Sequence, residues 1–126
     1  MTGRATTGRG GRGRVALGRA AEELAARHLV RRGFTILDRN ARGGRGELDL
    51  VARRDGLLLF VEVKAHRLPE RSMGAMTPEK QRRLVSAAEA WLARHPTLAG
   101  LQCRFDLLIV TPDSHQIAHY EDAFRP

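Results

Sequence analysis

Apolar and polar positions alternate most regularly between Gly46 and Lys64, where two apolar runs flank Asp55-Gly56. That dipeptide favours a two-residue type I′ turn, so the stretch predicts a β-hairpin. With the turn at 55 and 56, Arg54 opposes Leu57, Val51 opposes Phe60, Asp49 opposes Glu62 and Glu47 opposes Lys64. Side chains alternate along a strand, so Glu47, Asp49, Glu62 and Lys64 share one face. The other face collects Leu48, Leu50, Ala52, Leu57, Leu59, Val61 and Val63. A slip of one residue would bury the charges, and the apolar pattern therefore fixes the register.

The remaining elements follow from the same reading. Leu17, Ala21, Leu24, Ala25, His28 and Leu29 form the stripe of a helix over 17–32, which Gly33 ends. His28 reads as a packed stripe residue and not a ligand. Glu22, at the stripe's edge, either reaches the hairpin's acidic face or is a solvated neighbour of Glu23. Phe34 to Asp38 predicts a short strand, followed by an irregular basic connection over 39–45. A loop over 65–76 leads to a second helix, with Thr77 as N-cap, Pro78 at its first position and a stripe of Leu84, Ala88, Trp91 and Leu92. Gln81 is expected to point inward near the hairpin. Arg104 to Thr111 is nearly continuous apolar, as a strand buried on both faces would be. Reached through a helix, it should pair in parallel with the hairpin's second strand. His115 to Tyr120 predicts an edge strand. The order is α-β-β-β-α-β-β, an α/β fold in which helices flank a mixed sheet.

Composition narrows the function. A chain of 126 residues with formal charge +8 and pI near 11.3 suggests a polyanionic partner, most simply nucleic acid. No apolar run approaches the roughly 20 residues that span a bilayer, and the N-terminus lacks a secretory segment. The single cysteine, Cys103, fits a reducing cytoplasm and is expected to be a buried structural thiol. Residues 1 to 14 carry Arg4, Arg9, Arg12 and Arg14 without an acid. They read as a disordered tail, either touching phosphates or simply solvated, ahead of one domain over 15–126.

The opposed carboxylates of Asp49 and Glu62 are the candidate chemistry. At roughly 5 Å and an effective dielectric near 20 their repulsion is on the order of 3 kcal/mol. Folding alone does not require it; a bound cation would explain it, and hard oxygen donors suit Mg²⁺ or Mn²⁺. Lys64, on the same face, is placed to hold an attacking water or developing negative charge. The alternative is an ordinary hairpin with a Glu47–Lys64 ion pair and a solvated acidic pair, worth about 0 to 1 kcal/mol. Of 22 basic residues only Lys64 and Lys80 are lysines, so arginine serves wherever charge alone suffices. A compact ammonium points to a more specific task. Arg42, Arg45, Lys80, Arg82 and Arg83 are candidate phosphate contacts, the last three at a helix start whose free amides favour anions.

Asp49 followed by Glu62-Val63-Lys64 resembles the working part of the PD-(D/E)XK nucleases. More specifically, the chain resembles the YraN family, bacterial proteins with a restriction-endonuclease-like fold close to archaeal Holliday-junction resolvases. The resemblance rests on Gly18, Glu22, Gly33, Asn40 and Arg42, on 46–50 and 60–64, and on 80–82 and 104–106. Ala21, Ala41 and a shortened loop after Lys64 depart from the family pattern. The resemblance implies metal ligation by Asp49, Glu62 and the Val63 carbonyl, catalysis by Lys64, and support from Glu22 and Gln81. Resolvase-like relatives suggest a homodimer, and DNA ahead of RNA. The expectation is a Mg²⁺-dependent nuclease, and the alternative a non-catalytic nucleic-acid-binding protein that keeps the fold.

Overall fold

The structure, a computed structural model, describes residues 10–65, 76–111 and 113–126, with backbone alone for 10–17. Helix α1 (Gly10–Arg31) is followed by β1 (Thr35–Gly43), β2 (Gly46–Arg54), β3 (Leu57–Ala65), α2 (Pro78–Arg94), a 3₁₀ turn (Pro96–Leu98), β4 (Gln102–Thr111) and β5 (Gln116–Phe124). The five strands lie side by side in chain order. Each neighbouring pair is antiparallel except β3 and β4, which run parallel across the α2 connection. The element order and the mixed α/β sheet are those the hydrophobic pattern predicts.

Each helix covers the sheet with the stripe its sequence carries. Ala25 and Leu29 of α1 pack with Leu50, Leu59, Val61 and Leu108. Leu84 and Trp91 of α2 pack with Leu48, Val51, Phe60 and Phe105. Both packed sets are fully or nearly fully buried, and they account for most of the hydrophobic stabilisation. Trp91 also donates its indole N–H to Asp38 Oδ2 (3.0 Å), so its one polar atom is satisfied in the core. At the end of α1, Gly33 takes φ +91° while the Phe34 amide donates to Leu29 O (3.0 Å), which closes the helix.

Several boundaries differ from the expectation. α1 begins at Gly10, so residues 10–14 of the expected tail are helical, although this glycine- and arginine-rich stretch has low helix propensity and no apolar stripe to signal it. The part of the expected tail over 1–9 lies outside the described residues. The basic connection after Asp38 is not irregular: β1 continues to Gly43, paired residue by residue with β2. The helix-poor, glycine-containing sequence hides this, since cross-strand pairing decides it. Leu48, expected on one face with Leu50 and Ala52, packs in the α2 core while those two pack in the α1 core. In the β2–β3 turn Asp55 has φ +52° but Gly56 is outside the left-handed region, so the turn is not type I′. The last strand starts at Gln116, leaving His115 exposed before it. Cys103 is exposed, because it sits at the open start of β4, before the buried run from Phe105.

Candidate functional site

The β2–β3 ladder starts at Arg54↔Leu57 and ends at Leu50↔Val61, in the expected register. Beyond that point the two strands follow different partners. β2 stays with β1 as far as Gly43↔Gly46, and β3 stays with β4 as far as Ala65↔Val110. The hairpin therefore opens into a fork, and Asp49 fills its crotch. Its Oδ2 accepts from the Val63 amide at 2.7 Å, where a main-chain carbonyl would otherwise sit. The fork floors a cleft of about 820 Å³ lined by Glu47, Asp49, Glu62, Val63, Lys64 and Lys80, with Arg42, Arg45 and Arg83 at its edge.

Glu62 is the most buried of these charges, only 7% exposed. Its Oε2 meets Lys80 Nζ at 2.5 Å and Lys64 Nζ at 3.5 Å. The chain's only two lysines thus converge on one carboxylate oxygen. Burial, then the charge of Glu62, pushes the Asp49 carboxyl up to about 8, against the Val63 amide, which favours the charged form. Burial and the neighbouring Lys80 ammonium push the Lys64 amine down, although Glu62 opposes this. For Lys80 burial acts against charge, but the bond to Glu62 outweighs it and its net shift is upward. Glu22 is half-buried and raised, first by burial and further by the charges of Glu47 and Glu62, while an Asn40 hydrogen bond opposes the shift. Those charges reach it from the hairpin's acidic face, but Glu22 is not among the residues that line the cleft.

The β1–β2 turn is pressed onto α2. The Arg45 amide donates to Ser86 Oγ at 2.9 Å. Gly44 has φ +55°, and a Cβ there would lie 2.3 Å from Ser86 Oγ. Glycine is therefore required for a docked turn that carries Arg42 and Arg45 to the cleft edge.

Three sequence expectations change. The Glu47–Lys64 ion pair is absent: Glu47 binds Arg42 Nε (3.0 Å) and Lys64 turns to Glu62, because the ladder has ended before either residue. Gln81 does not line the cleft; its amide donates to Met76 O (3.1 Å), and it borders a separate groove with Arg82 and Phe124. Lys80 lies beside Glu62 itself, deeper than a phosphate contact on the rim. The rarity of lysine already marked it, by the same reasoning that marked Lys64. His66, in the stretch after Lys64, lies outside the described residues.

A family model matches residues 21–110, from within α1 to the end of β4, a span that contains every cleft residue named above. The chain belongs to the uncharacterised protein family UPF0102. This is the YraN group that the sequence resembles. A UPF0102 protein of Rhodopseudomonas palustris is 47% identical over 87 residues, covering 69% of this chain and 67% of its own. One from Azorhizobium caulinodans is 46% identical over 97 residues, 77% and 73% of the two chains. One from Bradyrhizobium diazoefficiens is 41% identical over 97 residues, 75% and 73%. Among the described residues no helix is long and apolar enough to cross a membrane.

Proposed function

We propose that this UPF0102 protein is a Mg²⁺- or Mn²⁺-dependent nuclease with a restriction-endonuclease-like fold, hydrolysing phosphodiester bonds in nucleic acid, DNA ahead of RNA. The observation that carries the proposal is the convergence of Lys64 and Lys80 on Glu62, with Asp49 alongside, at the floor of an arginine-edged cleft. Among the described residues no three Asp, Glu, His or Cys side chains form a closed metal-holding group. Two carboxylates and the Val63 carbonyl suit a hard cation that retains part of its water shell, and do not suit zinc.

Asp49 and Glu62 would hold the ion. When bound, it supplies positive charge at the phosphate and makes water more acidic. Lys64, fixed to β3 by the Ile109 register, orients the attacking water or neutralises charge developing on phosphorus-bound oxygen. Glu22 supports the acidic cluster, and Gln81 supports the segment entering α2. Arg42, Arg45, Arg82 and Arg83 hold flanking phosphates, which fixes the polymer's position without reading its bases.

The test uses Mg²⁺-dependent cutting of linear, flapped and four-way-junction DNA and of structured RNA. Lys64→Arg keeps charge but replaces the compact ammonium with a broad plane. Cleavage should fall by about 10² or more, roughly 2.7 kcal/mol, while binding barely changes. Glu62→Ala should abolish cleavage. Cutting that survives both substitutions would refute the assignment. A non-catalytic nucleic-acid-binding role is the second reading, favoured by Lys64 and Lys80 both supplying counter-charge to Glu62. It predicts no cleavage by the wild type and a nearly silent Lys64→Arg.

A further inference from the structure

We infer that Lys80 is the resident counter-ion of this site, an ammonium that a divalent cation displaces from Glu62. The inference rests on the reading of Asp49 and Glu62 as cation ligands, and it names how access to them is regulated. A buried carboxylate needs a compensating charge, and one ammonium is enough for one carboxylate. Glu62 has two, both directed at the same oxygen. A pair of like charges sharing one acceptor leaves one of them in surplus once another cation arrives.

The two lysines are not equally free to leave. Lys64 sits on β3 two residues from Glu62, with its backbone locked into the parallel ladder opposite Ile109. Its ammonium stays near the site whichever group it bonds. The two side chains are similarly exposed, 35% for Lys64 and 30% for Lys80, but Lys80 reaches in from another element, so its flexible four-carbon stem can swing away from β3. A rotation about that stem carries the ammonium from Glu62 into the cleft, toward the edge formed by Arg42, Arg45 and Arg83.

The position of Lys80 in α2 gives an independent argument. Thr77 is the N-cap, its hydroxyl accepting from the Lys80 amide at 3.2 Å, and Pro78 opens the helix. Lys80 is then the third helical residue, where a glutamate or glutamine would complete a capping box. A positive charge there also opposes the helix dipole. The helix gains nothing from lysine at this position. The ion pair with Glu62 does account for it, and so does a second use, because the displaced ammonium would join the basic edge as a phosphate donor.

Calorimetric titration of the full chain with MnCl₂ tests this without reference to cleavage. Lys80→Met and Lys80→Gln should each bind Mn²⁺ about 10-fold more tightly than the wild type. Lys64→Met should give a smaller gain, because its contact is longer. Arg83→Met, which removes a cleft charge bonded to Glu79 and not to Glu62, should change affinity by less than about 2-fold and so isolates direct competition from the general field. Without metal, both Lys80 variants should melt lower than the wild type, and saturating Mn²⁺ should close the gap. Unchanged or weaker Mn²⁺ binding in folded Lys80 variants would overturn the inference, as would a gain equalled by Arg83→Met. Tight Mn²⁺ binding without cleavage by the wild type would refute the nuclease reading and leave counter-ion exchange standing. No binding to any of the chains would remove both the ligand assignment and the exchange.

Discussion

Two aspartates on this sheet meet opposite fates. Asp106, on β4, is 2% exposed and every approach to its carboxylate is answered. Arg104 donates to both oxygens (2.8 and 2.9 Å), the Asp122 amide to Oδ1 (3.0 Å), and His119 Nε2 lies 2.7 Å from Oδ2. His119 Nδ1 in turn meets His28 Nε2 at 3.0 Å, which ties β5 to α1. Burial opposes the charge on Asp106, but these hydrogen bonds win and hold the carboxyl below its ordinary value. Among the described residues Asp49 has one amide donor and a second carboxylate for company, and is pushed up to about 8. A satisfied buried network fastens elements together, whereas an unsatisfied one stores repulsion that a ligand can relieve.

The largest expected effect breaks the satisfied side. Asp106→Asn removes the bidentate partner of Arg104, leaving it only the more distant Glu121 (3.8 Å), and should destabilise the fold by about 3 to 5 kcal/mol in urea unfolding. A loss below about 1 kcal/mol would mean that the network is not the fastening described.

Asp49→Asn should act in the opposite direction. The amide can still accept from the Val63 N–H and donate to Glu62, but it cannot ionise. The folded carboxyl titrates near 8 and the unfolded one near 3.8, so between those values the native state holds the extra proton. Wild-type stability therefore falls as pH rises through that window, and the variant escapes the loss. Its advantage should be about 1 to 3 kcal/mol at pH 8 and vanish near pH 4. A destabilised variant at pH 8 would contradict the stored repulsion.

The smallest effect concerns His28, whose imidazole is pushed down to about 4 by burial, then by the Arg32 and His119 charges, from 6.5 when unfolded. The unfolded chain binds the extra proton between those values, so stability should drop as pH falls from 6.5 to 4. The ring is partly solvated, and the loss should stay below about 1 kcal/mol. Thermal melts of His28→Gln across the same range should lack this slope; an identical slope would place the acid sensitivity elsewhere.

The sequence revealed what local pattern controls. The turn at Asp55-Gly56 and strict alternation set the hairpin register, and Thr77-Pro78 set the start of α2. It did not reveal where the hairpin stops pairing, because that depends on β1 and β4 drawing the two strands apart. Extending the ladder past Leu50 and Val61 is what set Asp49 directly opposite Glu62 and, in the alternative reading, paired Glu47 with Lys64. The His28–His119 contact joins residues 91 positions apart, and no periodicity reports it. Lys80 was within reach: its rarity singled it out, but its partner lies on a different element.

The central claim is that repulsion at Asp49 and Glu62 marks a cation site while the Asp106 network marks a fastening. Crystals soaked in MnCl₂ and measured for anomalous scattering address both halves at once. The account predicts one strong peak between the Asp49 and Glu62 carboxylates, with the Lys80 ammonium moved off Glu62, and none at Asp106 or His119. A soaked crystal with well-ordered Asp49 and Glu62 side chains and no peak between them would contradict it.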